Sequence, residues 1–241
     1  MLQLRKPVLI CQNSGRERPG HIETLLDKYF LSNETRHVGS MPNNVDPKSY
    51  SGVIVLGGPQ SANDQTEVML RELDFVKRTV AAGVPYFGIC LGMQVLIKAT
   101  GGIVRPNPVK EIGFRDEAGE PYLVTLEAEG TGSRLFPYVP LTFSVFQLHG
   151  ETVDTVEGQK VLATGKHCVV QAVQVGSNAF GVQFHPELGE HMLGIWSKED
   201  PDLAKKPLAI EDIRHLKTHI GINGRKIIEN FINVIIKSMH Q

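Results

Sequence analysis

"VPYFGICLGMQVLIKATGG" (84–102) decides the fold. Residues 84–89 are almost continuously apolar, which suits a strand buried on both faces of a sheet. Residues 91–102 read as a helix closed by two glycines. Cys90 stands at the join, between Gly88 and Gly92. A side chain at so tight a strand-to-helix turn is pushed out above the sheet. Glycines beside it are required because a Cβ there would crowd neighbouring backbone.

Working outward, the same alternation recurs. "KPVLICQ" (6–12) reads as a first strand, and "GVIVLGGP" (52–59) is an apolar run ending in glycines. "HIETLLDKYFLS" (21–32) has Ile22, Leu25, Leu26, Tyr29 and Phe30 at helical spacing. "TEVMLRELDFVKRTVAAG" (66–83) places Val68, Leu70, Leu73, Val76 and Val80 roughly on one face, with Gly83 as a stop. Strand–helix alternation implies right-handed crossovers in a parallel sheet, with sites at the carboxyl ends of its strands.

Between 103 and 184 the pattern changes to shorter β-like stretches separated by Gly and Pro turns: "PYLVTLEA", "LTFSVFQLH", "KVLATG", "CVVQAVQVG" and "AFGVQFH". The tail from 209 reads as mostly helical. The expectation is an α/β fold in one domain, 1–241, with a core over about 6–190 and a helical segment over about 190–241. Its central sheet is mostly parallel and flanked by helices, with hairpins added at a mixed edge.

Composition narrows the functions. Lys plus Arg total 25 and Asp plus Glu 26, so no global charge recruits nucleic acid or an anionic membrane. The three cysteines, Cys11, Cys90 and Cys168, argue against a disulfide framework, and no CxxC pair suggests zinc. No apolar stretch approaches the roughly 20 residues needed to span a bilayer, and the first residues lack a signal-peptide pattern. The expectation is a reduced, cytoplasmic protein without a metal or other cofactor.

The chemistry starts from Cys90. Its position matches the Gly-x-Ser-x-Gly elbow that exposes a serine for the same steric reason. The free N–H groups of a helix N-terminus favour an anion there, and the Leu91 amide would point at an oxyanion. Read alone, the motif also suits a buried core cysteine. A thiol nucleophile needs a base and an orienter. In "GVQFHPE" (181–187), His185 follows an apolar strand and Glu187 can reach back to its ring. Alone, that motif also reads as a strand-ending turn. In "VLGGP", the backbone N–H of Gly58 is free to face a cleft and join Leu91 in a two-donor oxyanion hole, although glycine turns are common there.

Together "LGGPQS", "GICLGMQ" and "FGVQFHPE" resemble, in order and approximate spacing, the class I glutamine amidotransferases, the Cys-His-Glu type. "KEIGF" (110–114) and "FQLHGE" (146–151) narrow the likeness to stand-alone proteins similar to the glutaminase domain of GMP synthetase. The resemblance implies a flavodoxin-like fold and thiol-dependent hydrolysis of the glutamine side-chain amide. It implies Cys90 as nucleophile, His185 as general base and acid, and Glu187 as its orienter. Gly58 and Leu91 would hold the oxyanion, and Gln94, Leu148 and His149 would contact substrate. Where the family often has His-Gly-Asp, this chain has His149-Gly150-Glu151, one methylene longer.

The implied substrate is glutamine or a γ-glutamyl compound. The implied partner for the first is a separate ATP-dependent synthetase, since no GxxxxGK[ST] loop occurs. A γ-glutamyl peptide hydrolase, a cysteine peptidase and a non-catalytic regulatory module stand as alternatives on the same fold. His215 and His219, four apart, could share a metal but lack the glutamate of HExxH. Trp196 reads as packing, Lys205 and Lys206 as a solvated turn, and Cys11 and Cys168 as buried and inert.

Overall fold

The computed structural model describes residues 6–206 and 208–240. Residues at the two ends, and with them the reading of a missing leader, lie outside the described residues. Helices and strands alternate through the first half: β1 (Val8–Gln12), α1 (His21–Lys28), β2 (Asn33–His37), β3 (Gly52–Val55), α2 (Glu67–Ala81), β4 (Tyr86–Ile89) and α3 (Leu91–Ala99). There follow β5 (Ile103–Gly113), β6 (Leu123–Leu126), the single turn α4 (Ala128–Thr131), β7 (Thr142–Ser144), β8 (Gln147–Asp154), β9 (Gln159–Gly165), β10 (Val170–Val175) and β11 (Ala179–Val182). The chain closes with α5 (Glu190–Glu199), α6 (Ile210–His215) and α7 (Gly221–Ser238). No described helix is long and apolar enough to cross a membrane.

The main sheet has nine strands in the order β2-β1-β3-β4-β11-β10-β9-β6-β7. The strands from β2 to β11 are parallel, and those from β11 to β7 pair antiparallel. Helices cover the parallel half on both faces, as expected of an α/β sheet with a mixed edge. Alternate strand residues feed opposite layers. Val8, Ile10, Phe87 and Ile89 pack against α1 and α7 beside Leu26 and Phe231. Leu9, Cys11, Val53 and Tyr86 pack against α2 and α3 beside Phe75 and Leu96. A third apolar cluster, centred on Phe146 and Trp196, joins α5 to the site end of the sheet.

The expected strands and helices form, with instructive departures. The helix over 21–32 stops at Lys28 because Phe30 takes a left-handed conformation, φ 55°, and turns outward into solvent. In α2 the buried stripe is Met69, Glu72, Phe75, Val76 and Thr79, whereas Leu70 is exposed. Two strands carry no apolar alternation and were not expected. β2 reads "NETRH" and is an edge strand paired only to β1. β5 pairs with β8 in a separate two-stranded ribbon whose register breaks between Pro106 and Glu111, as proline in a ladder requires. "LTFSVFQLH" divides between β7 and β8.

Candidate active site

The elbow is built by close backbone packing. A Cβ on Gly88 would come within 2.4 Å of Gly92 backbone, and one on Gly92 within 2.2 Å of the Val55 carbonyl oxygen. Neither position accepts any other residue without moving β3, β4 or α3. Cys90 itself sits at φ 53°, ψ −107°, in backbone territory that non-glycine residues avoid, at a cost of order 1–3 kcal/mol. Its N–H donates to Val182 O of β11 at 2.8 Å. Its Sγ lies at the start of α3, 3.5 Å from Gln183 Nε2 and 3.8 Å from Leu148 O.

β11 delivers His185. Val182 pairs with Ile89 across the β4–β11 ladder, so the residues just past both strand ends emerge side by side. The His185 ring and the Cys90 side chain meet at Gly57: a Cβ there would lie 3.2 Å from His185 Cε1 and 3.6 Å from Cys90 Cβ. Glu187 Oε1 holds His185 Nδ1 at 2.8 Å, and both residues are buried. Nε2 has no hydrogen-bond partner. Burial works against a charged ring here, but the Glu187 carboxylate and the Cys90 sulfur outweigh it and hold His185 well above its ordinary range.

A cleft of about 320 Å³ opens above the thiol, and Gly58, Gln94, Leu148 and His149 line it together with Cys90 and His185. Leu91 is the first helical residue, where an N–H has no acceptor within the helix. The loop carrying Gly58 is braced from below. Asn13 Nδ2 donates to Leu56 O at 3.2 Å and to Glu72 Oε1 at 3.0 Å, while Gln60 Nε2 donates to Asn13 O. Burial pushes the Glu72 carboxyl up to about 7.

The substrate-side residues are tied into the wall. Gln94 Nε2 donates to Gln183 Oε1 and to Glu151 O. His149 has both nitrogens engaged, Nε2 with Glu111 Oε2 at 2.8 Å and Nδ1 with Glu151 O at 3.0 Å. The longer carboxylate of Glu151 accepts from Ser61 Oγ at 2.9 Å.

Sequence reasoning missed one wall of the site, the loop from Asn13 to Gly20. His21 N donates to Glu187 O at 3.0 Å, and Gly20 (φ 56°) approaches that carbonyl so closely that a Cβ would sit 2.1 Å from it. Trp196 of α5 packs edge-on against the His185 ring, centroids 4.8 Å apart, and its Nε1 donates to Arg16 O. Arg16 in turn pairs with Asp200 at 3.0 Å, and Lys110 pairs with Asp202 at 2.8 Å across the cleft mouth. "ERPG" (17–20) offered a local signal: an acid ahead of a glycine at a strand's carboxyl end.

Among the described residues, two sets of ligand-type side chains lie close enough to share an ion: Glu17–His185–Glu187 and Glu111–His149–Cys168. His215 and His219 are in neither; their rings stack 4.6 Å apart, and His215 bonds Ser144 Oγ. Lys205 is exposed and reaches Asp202 at 3.4 Å. Cys11 and Cys168 are buried, and burial raises both thiols, Cys168 to about 12.

A family model described as glutamine amidotransferase class-I matches residues 25–194. The chain is 31% identical over 143 residues to a gamma-glutamyl-L-1-hydroxyisopropylamide hydrolase from a Pseudomonas species, covering 58% of this chain and 48% of that protein. It is 30% identical over 193 residues to a glutamine-hydrolyzing GMP synthase of Lactococcus lactis, covering 79% of this chain and 32% of the synthase. The chain thus spans about a third to a half of the length of these relatives. A glutamine amido transferase from Methylobacillus flagellatus superposes with a TM-score of 0.83 at 28% identity, covering 97% of this chain and 95% of that one. A glutamine amidotransferase from Thermotoga maritima superposes at 0.81 with 23% identity, over 95% of this chain and 99% of that one, a likeness of fold.

Proposed function

Because this chain belongs to the class-I glutamine amidotransferase family, we propose that it hydrolyses the side-chain amide of glutamine through a glutamyl thioester on Cys90. The supporting observation is the convergence of the Cys90 side chain and the His185 ring beside Gly57, at the mouth of adjacent parallel strands.

In this reading the thiol proton passes to His185 Nε2 as Sγ attacks the amide carbon. The N–H groups of Gly58 and Leu91 hold the resulting oxyanion. The tetrahedral species collapses, the C–N bond breaks, and His185 returns the proton to the departing ammonia. Water, deprotonated by the same nitrogen, then attacks the thioester, releasing glutamate and restoring the thiol. Glu187 fixes the ring and compensates the imidazolium. Gln94, Leu148 and His149 form the wall for the amino-acid end of substrate. Since both His149 nitrogens are already bonded, this stretch acts through backbone and through Leu148.

A second substrate class is favoured by the cleft itself. It extends past the thiol to Arg16, Lys110, Asp200 and Asp202, space that a leaving group larger than ammonia can fill. γ-Glutamyl amides, which release an amine, are therefore the alternative to glutamine, whose ammonia passes to solvent or to a separate ATP-dependent synthetase. Residues 1–241 act as one domain in this reading, and three unpaired cysteines support a reducing, cytoplasmic setting.

The test is a side-by-side assay of glutamine, γ-glutamyl amides and ordinary α-peptides, with mass spectrometry of protein treated with a glutamine-like alkylating agent. Amine release from the first two and labelling of Cys90 are expected. Cleavage of α-peptides alone, or no turnover together with an unlabelled Cys90, overturns the proposal.

A further inference from the structure

One carboxylate orients the imidazole in the mechanism above, yet two stand against it. Glu17, in the loop after β1, is buried. One of its oxygens, a ring nitrogen of His185 and an oxygen of Glu187 all lie within 4.8 Å of one another. Glu187 takes the Nδ1 side. Glu17 stands near the Cε1 edge: the point where a Cβ on Gly57 would sit is 3.2 Å from His185 Cε1 and 3.4 Å from Glu17 Oε2. Glu17 Oε1 faces Arg16 Nε at 3.5 Å, but Oε2 has no hydrogen-bond partner. His185 Nε2 and Glu187 Oε2 are buried and unpartnered in the same cluster. Buried polar atoms left unpaired are costly, and their concentration at one point of a cleft marks a place where charge is to appear.

We infer that Glu17 is a positioning residue for the reaction, its carboxylate steadying the His185 imidazolium that forms when the Cys90 proton moves to Nε2. The inference rests on the amidase reading of Cys90 and His185. Loop and strand ends cooperate in it: Arg16 turns Glu17 from one side, while the His21-to-Glu187 backbone bond fixes the distance between the two acids. Burial holds the Glu17 carboxyl above the usual carboxylate range; His185 and Arg16 oppose this, while Glu187 and Asp200 reinforce it. An imidazolium beside Glu17 favours its carboxylate form, and that carboxylate in turn favours the imidazolium.

The experiment follows the His185 ring by NMR titration of the full chain, its signals assigned by comparison with His185→Asn. In Glu17→Gln the midpoint should fall by about one pH unit, because a nearby carboxylate raises a histidine by roughly that much or more. The acidic limb of kcat/KM, set by the base form of His185, should move down with it. Glu17→Asp, whose carboxylate is withdrawn by one methylene, should titrate between the two. A midpoint unchanged in Glu17→Gln overturns the inference. If that variant does not fold, a wild-type midpoint in Glu17→Asp overturns it equally. A rise in KM with an unmoved titration assigns Glu17 to substrate contact and also overturns it. The titration needs no turnover, so a silent Cys90 would defeat the amidase reading separately.

Discussion

Two buried clusters in this molecule are assembled from the same parts. Glu111, His149 and Cys168 form one; Glu17, Glu187, His185 and Cys90 form the other. In the first, bonds are exchanged almost completely. His149 uses both nitrogens, Glu111 Oε2 also accepts from Gln171 Nε2 at 3.0 Å, and Cys168 Sγ lies 3.2 Å from Thr152 Oγ1. In the second, three side-chain atoms are left without partners beside an open cleft. Residue types alone do not separate a structural network from a reactive one. The separation lies in which polar atoms the fold declines to satisfy.

The largest effect that could break this contrast is on turnover. Cys90→Ala should reduce amide hydrolysis at least about 10⁴-fold, as loss of the nucleophile does in enzymes of this design. Cys168→Ala should leave the rate within roughly twofold, because apolar burial keeps structural thiols inert. Ammonia release measured on both variants decides it; comparable losses would erase the distinction.

Gly58→Ala comes next. Its Cβ would sit 2.4 Å from Gln60 Oε1 and 2.8 Å from Asn13 Cβ, so the loop must shift and the Gly58 N–H with it. A fall in kcat of about 10²-fold, with KM little changed, is the expected steady-state result, since oxyanion donors act in the transition state.

The satisfied cluster should instead report in stability. His149→Ala leaves a buried Glu111 oxygen with one donor fewer and should cost about 1–3 kcal/mol in urea unfolding. An unchanged midpoint with a raised KM would show that the His149 ring itself, and not only the backbone of its stretch, contacts substrate.

The smallest effect is a pH slope. Burial raises Glu72 from 4.5 to about 7 in the folded chain. Between those values the native state binds more protons than the unfolded one, so stability declines as pH rises through this window, by roughly 3 kcal/mol in total. Glu72→Gln should flatten that part of the Tm–pH curve. A slope that survives the substitution would show that another group carries it.

What was legible in the sequence follows the range of each constraint. The elbow around Cys90 is written in adjacent residues: Gly88 answers to Gly92 backbone four positions on, although Gly92 itself answers to the Val55 carbonyl on β3. His185 and Glu187 are equally local, a strand end and a turn. Glu17 and Trp196 reach the site through a loop path and a returning helix, and no periodicity encodes either route. β2 escaped notice because an edge strand with one neighbour tolerates polar residues on both faces. β5 was hidden by its prolines. In α2 the stripe shifted because the buried face accepts Glu72 and Thr79, which the apolar pattern omits.

Cys90 and His185 stand just beyond two hydrogen-bonded strands that run the same way, although a long stretch of chain separates them. A single rung of the ladder therefore serves as the gauge for their spacing. Insertions or deletions in the intervening hairpins can reshape the outer rim without altering that gauge. Reach for new leaving groups and fidelity of proton transfer can thus diverge independently among descendants of this scaffold.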